Sequence, residues 1–122
     1  MIQVTGNIRG VVGLETGIFV ATDAGMWWIA GETLATMQKV QLDEEVYAKG
    51  GVDVPGYKIP KLDTSARVAL FVNSGGLVVG LPSGQLLPTT RFSYNVGEIG
   101  SKRASFAVTD RDGLKQILFT LS

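Results

Sequence analysis

Residues 17–30 read GIFVATDAGMWWIA, and this stretch decides the fold class. β-Branched and aromatic residues fill two short arms, 17–22 and 26–30, a composition that suits a pleated, half-buried surface better than a helix. Between them lies Asp23-Ala24-Gly25. Asp offers a local side-chain hydrogen bond and Gly a permissive φ, so the arms are expected to fold back on each other as a hairpin.

The same pattern recurs along the chain. Residues 70–79, LFVNSGGLVV, match residues 19–28, FVATDAGMWW, at a constant spacing of 51. A third copy, Phe106-Ala107-Val108-Thr109-Asp110-Arg111-Asp112-Gly113-Leu114, fits with one extra turn residue, its Gly113 lying 37 residues after Gly76. Sixteen glycines fall mainly between apolar runs, about twice ordinary usage, and this marks many turns between many short strands.

The intervening segments fill out the pattern. Residues 8–14 form an inner strand interrupted by Gly10 and Gly13. Residues 35–46 fit helical spacing in part, but 36–42 alternate along their length, and a strand over 37–42 agrees with the β pattern around it. Residues 49–63 hold Gly50, Gly51, Pro55, Gly56 and Pro60, which exclude a long helix or a central strand. An ordered surface loop with a short edge strand over 57–59 is expected there. Strands follow at 67–72, 76–81, 85–89 and 91–96, where Phe92, Tyr94 and Val96 share a face, and the chain ends in a hairpin of 104–109 with 114–121.

Short antiparallel strands repeating about every 40 to 50 residues give the period of β-propeller blades, whose faces are buried only by stacking on neighbours. The expected fold is all-β and β-propeller-like within one domain over residues 1–122, with about three blades at 8–42, 57–89 and 92–121. The third blade lacks an outermost strand that residues 1–5 can supply, within the chain or from a neighbouring subunit. Three blades cannot close a propeller of four to eight. The chain is then a fragment of a longer propeller, an oligomer whose subunits complete the ring, or a small barrel. A dimer with six blades is the simplest closed solution.

Composition narrows the chemistry. The 122 residues carry 11 basic and 11 acidic side chains, so no overall field draws the chain to nucleic acid or an anionic membrane, and Lys102-Arg103 is its best basic run. Without Cys or His there is no disulfide, no Cys/His zinc site and no imidazole base. No signal-peptide pattern opens the chain and no apolar run reaches the roughly 20 residues of a membrane-spanning helix.

Candidate chemical motifs resolve toward structure. Asp43-Glu44-Glu45 places carboxylates in a row without a calcium-loop spacing, and Asp110-Arg111-Asp112-Gly113 lacks the later ligands of such a loop. Gly10-Val11-Val12-Gly13 and Gly75-Gly76 precede neither a Lys-Ser/Thr pair nor a helix, so neither reads as a phosphate loop. A glycosidase needs two carboxylates across a cleft, and nothing singles out a pair, Glu15 and Glu98 both lying in turn regions. No catalytic residue, metal or cofactor is expected.

Trp27 and Trp28 are neighbours on one strand and must face opposite ways. Packing against the core or an adjacent blade is the structural reading for both. The functional one makes an exposed indole an interface anchor or a carbohydrate platform. Interface candidates are therefore Trp27 and Trp28, Tyr57 in the irregular loop, and the strand-edge residues Ile2, Val4 and Leu118.

Residues 19–31, FVATDAGMWWIAG, resemble a hairpin of propeller-like structural proteins of tailed bacteriophages and prophages. Residues 67–89, Arg91-Phe92-Ser93-Tyr94 and the final hairpin are similar to the segments that follow it, so the resemblance spans 17–121 in order, with GLVVGLP at 76–82 its most distinctive run. Those relatives carry further blades before this region. The resemblance implies a virion or assembly component, found in the particle or in the host cytoplasm during assembly, whose partners are its own copies and other phage structural proteins. The alternative function is a lectin-like module that binds carbohydrate or a small ligand through Trp27 or Trp28.

Overall fold

A computed structural model describes residues 6–31, 37–59, 62, 64–91, 99, 102–111 and 114–122. The chain is all-β, and every pairing among the described strands is antiparallel, with one isolated parallel bridge between Lys49 and Arg103. Strands β1 (Ile8–Leu14), β2 (Gly17–Thr22), β3 (Gly25–Ala30) and β4 (Gln38–Asp43) form a first sheet in chain order. A second sheet repeats the plan with β5 (Val52–Pro55), β6 (Arg67–Asn73), β7 (Gly76–Gly80) and β8 (Leu86–Arg91). Strands β9 (Ala104–Arg111) and β10 (Leu114–Leu121) pair as a hairpin.

The two four-stranded sheets share one register. Thr22 pairs with Gly25, Val20 with Trp27 and Ile18 with Ile29, while Asn73, Phe71 and Ala69 pair with Gly76, Val78 and Gly80 at the same spacing. Even the irregularity is repeated: β4 slips by one residue between the partners of Met26 and Trp27, and β8 does so between the partners of Leu77 and Val78. A bulge twists the strand that carries it and spoils an edge for uncontrolled pairing, so the last strand of each four-stranded sheet carries the same protective feature.

Both central turns are built alike. Thr22 Oγ1 accepts the Ala24 N–H at 3.0 Å and its hydroxyl donates to the Gly25 carbonyl at 2.9 Å. In the second sheet Asn73 Oδ1 accepts the Gly75 N–H at 2.8 Å. Gly25 and Gly76 follow with φ of 143° and 124°, where a Cβ is strained. The side-chain bond within the first turn thus comes from Thr22 rather than Asp23. Asp23 reaches sideways to Asn7, taking its N–H on Oδ1 at 2.8 Å and its side-chain N–H on Oδ2 at 3.0 Å.

Stacking follows from which residues share a face. Phe19, Ala21 and Met26 of the first sheet meet Ala69 and Phe71 of the second, with Val12 and Tyr47 completing the cluster. The opposite face of the second sheet, Val68, Leu70, Val72, Leu77 and Val79, takes Phe106, Val108, Ile117 and Phe119 from the hairpin. The second sheet is therefore a middle layer, and Val68, Ala69, Leu70, Phe71 and Val72 are all completely buried. Each large apolar side chain removed from water there contributes about 1.5 to 3 kcal/mol. Gly80 leaves the space in which Phe19 lies: a Cβ there would sit 2.7 Å from the ring.

Three expectations are corrected. The segment after residue 55 is a 3-10 turn, Gly56–Lys58, not a strand, and the edge strand lies earlier, at Val52–Pro55. Pro55 is tolerated because it ends an edge strand. The last hairpin is not register-equivalent to the others as aligned on Gly113, since its pairing continues to Arg111 with Leu114, two residues past Thr109. Finally, the sheets among the described residues are open and stacked, so they do not form the small barrel named among the alternatives. The strands read at 1–5 and 92–96 lie outside the described residues.

Candidate interaction surface

The layered stack has two outer faces, and the residues singled out from sequence distribute between them. Trp28 pairs with Phe19 across β2 and β3 and turns inward, its ring centroid 4.6 Å from that of Phe19. The indole is packed close to the backbone at Gly17 and Gly84. Trp27, opposite Val20, faces outward with Ile18 and Ile29 on the same side. Lys39, the partner of Ile29, holds its ammonium 5.4 Å over the Trp27 ring, a cation–π arrangement. The Trp27 Nε1–H is buried without an acceptor. Val11 pairs with Val20 on this face and is 56% exposed.

The other end of the stack is the outer face of the hairpin. Alternation along β10 puts Ile117, Phe119 and Leu121 inward and Leu114, Gln116, Leu118 and Thr120 outward. Leu114 is 62% and Leu118 58% exposed, beside the exposed Ala107 of β9. Tyr57, on the 3-10 turn next to β9, is half exposed. Trp27 and Leu118 thus stand on opposite ends of one molecule, so the structure does not gather the candidates into one pocket. Ile2 and Val4 lie outside the described residues.

A polar network that sequence reasoning missed ties the two sheets together. Asp43 Oδ1 accepts N–H groups of Met26 at 3.1 Å and Glu45 at 3.2 Å, and its Oδ2 accepts the Tyr47 hydroxyl at 2.5 Å. Asn73 Nδ2 donates to the same Tyr47 oxygen at 3.2 Å, and Ser74 Oγ donates to the Glu45 carboxylate. Burial pushes the Asp43 carboxyl above its ordinary range although its three donors oppose the shift. Burial, then the neighbouring Asp43 charge, pushes the Tyr47 hydroxyl far up, so it stays a neutral donor. Tyr47 also donates its N–H to the Thr22 carbonyl at 3.2 Å and meets Phe71 edge-on at 6.1 Å.

Two recesses accompany these elements. A groove of about 720 Å³ runs between the sheets at the opposite end from the central turns, lined by Glu15, Thr16, Ser65, Arg67 and Pro82 among others. Thr16 Oγ1 donates across it to the Pro82 carbonyl at 2.6 Å, and Arg67 pairs with Asp53 at 2.5 Å. Glu15 is the one carboxylate among its described lining residues. A smaller recess of about 230 Å³ contains Asp43 and Glu45, both already engaged as above. Among the described residues no three acidic side chains gather as they would around a metal ion, and no helix is long and apolar enough to cross a membrane. Compared with protein-family models, curated proteins and solved structures, the chain matches none.

Proposed function

We propose that this chain is a β-propeller-like structural module that works through protein-protein contacts, with its setting a phage or prophage particle. The observation that carries the reading is the layered stack itself, which leaves apolar residues exposed at both ends, Val11 on one and Leu114 and Leu118 on the other. Layers of this kind bury their faces only against neighbours. The shared register of the two sheets is the repetition expected of blades. The resemblance of residues 17–121 supports the particle setting, and the layers missing from a ring come from further copies or from other proteins of the particle.

The carbohydrate reading requires an open indole. Trp28 is packed on Phe19 and the Trp27 ring lies under Lys39, so neither residue favours it over assembly.

Light scattering on the purified chain, over a range of concentrations and with particle proteins added, tests the proposal. A fixed assembly larger than the 13.0 kDa chain supports it. A persistent monomer that joins no particle protein contradicts it, and quenching of tryptophan fluorescence on a glycan panel turns the assignment to a lectin.

A further inference from the structure

We infer that the chain docks an acidic segment of a partner protein on a basic seam made by Arg9, Lys49, Lys102 and Arg103. The inference rests on the assembly reading and names the chemistry of one partner and the place that holds it.

The seam follows residues 46–50, which join all three layers through the backbone. The Tyr47 N–H donates to the Thr22 carbonyl of the first sheet at 3.2 Å, and the Ala48 N–H to the Val72 carbonyl of the second at 3.0 Å. At the start of the hairpin the Lys49 N–H donates to the Lys102 carbonyl at 2.8 Å, and the Lys49 carbonyl accepts the Ala104 N–H at 2.7 Å. These two bonds enclose Arg103, which pairs with Lys49 in parallel. The Gly50 N–H closes the seam on the Arg9 carbonyl at 3.1 Å. In the sequence Lys102-Arg103 is a run of two. Folding sets two more cations, from distant positions, beside it.

Positive charge is left uncompensated there. Paired residues project to one side of their strands, about 5 Å apart, so Lys49 and Arg103 stand side by side, and both are exposed. Like charges so placed repel each other. Among the described residues the one ion pair joins Arg67 to Asp53, and none of the four cations enters one. Arg103 exchanges both backbone bonds with Ser122 without an ion pair. Arg9 adds an independent observation: its Nε–H is buried with no acceptor. Its charge also acts on Asp23, whose carboxyl is held low chiefly by the Asn7 N–H, but both Asp23 oxygens are bonded to Asn7. A buried donor without an acceptor and a row of unpaired cations are both satisfied by anionic oxygen.

Protein carboxylates fit this seam better than a nucleic acid does. The charges of the chain balance overall, so no wider field follows a long polyanion. The one aromatic residue of the seam, Tyr47, is fully buried and offers no ring on which a base could stack.

The test titrates the full chain with hexaglutamate and follows backbone amide NMR shifts. Shifts are expected at Arg9, Lys49, Lys102 and Arg103, with binding that weakens between about 50 and 300 mM salt. Lys49→Gln with Arg103→Gln is expected to weaken it roughly tenfold or more, whereas Lys58→Gln with Lys115→Gln, which removes the same charge elsewhere, leaves it unchanged. Thermal unfolding at low salt checks the free chain. The first pair of substitutions is expected to keep or raise the midpoint, because it removes a repulsion.

No shift with hexaglutamate, shifts away from the seam, or equal weakening by both pairs of substitutions overturns the site. A lowered midpoint in the first pair overturns it too, since those cations would then have partners within the fold. Tighter binding of a single-stranded oligothymidylate at the same residues overturns the acidic protein as occupant. A chain that assembles with particle proteins yet ignores hexaglutamate overturns this inference alone. A persistent monomer that binds hexaglutamate at the seam but joins no particle protein removes the assembly reading and leaves the anion site standing.

Discussion

Thr22 and Asn73 occupy the same place in two sheets: each ends a second strand, pairs with a glycine of positive φ and accepts the N–H two residues ahead on its side chain. Both are buried, so their bonds are made where water cannot replace them. Replacing Thr22 by Val keeps the shape and removes the hydroxyl, leaving the Ala24 N–H and Gly25 carbonyl without that partner. Urea denaturation should show a loss of about 1 to 3 kcal/mol, with Asn73→Ala costing a similar amount.

Gly25 and Gly80 tolerate no side chain, for different reasons. At Gly25, φ is 143° and a Cβ would lie 2.2 Å from the Asp43 carbonyl oxygen, a backbone atom that cannot swing away. Gly25→Ala should cost about 2 kcal/mol or more. At Gly80 the obstacle is the Phe19 ring. Gly80→Ala should cost about 1 to 3 kcal/mol, and less when Phe19 is also changed to Leu, so a double-mutant cycle should show coupling between the two layers.

Asp23 and Asp43 should give opposite slopes of stability against pH. The Asp43 carboxyl is raised in the folded chain above its ordinary 3.8, so the folded state holds the proton more tightly; this contribution is complete below 3.8 and is lost as pH rises through the raised value. Asp23 is lowered, chiefly by the Asn7 N–H, so its contribution is present above 3.8 and is lost as pH falls through the lowered value. Thermal unfolding across acidic pH should show that Asp43→Asn removes the first dependence and Asp23→Asn the second.

Tyr47 joins the turns of both sheets through one hydroxyl. Tyr47→Phe leaves the Asp43 carboxylate and the Asn73 amide without that partner in a buried site, and a loss of about 1 to 3 kcal/mol is expected. The same change should raise the Asp43 carboxyl further, because the Tyr47 bond lowers it. Titration followed by carboxyl NMR shifts measures this directly.

Much of this architecture was legible because local chemistry and burial agree. The arms around Asp23 and Ser74 carry β-branched and aromatic residues on both faces, and strict alternation separates Trp27 from Trp28 before any packing is known. Strand β4 was legible for the same reason, as its helical alternative had no β-free surroundings. Strand β5 was hidden by Pro55 and the glycines before it, which mark breaks in a chain but are acceptable on an edge. The final hairpin misled because Asp110 and Arg111 look like turn residues, yet pairing carries them into the strand. The Asp43, Tyr47 and Asn73 network was illegible because it joins residues from a strand end, an irregular segment and a second sheet. Only their convergence gives them a role.

An experimental structure of the protein in its assembled form tests the central claim most directly. Further layers, from other copies or from other proteins of the particle, covering the Val11 and Leu118 ends of the stack are the predicted result. A three-layer chain whose Val11 and Leu118 both face solvent in its functional form would contradict the account.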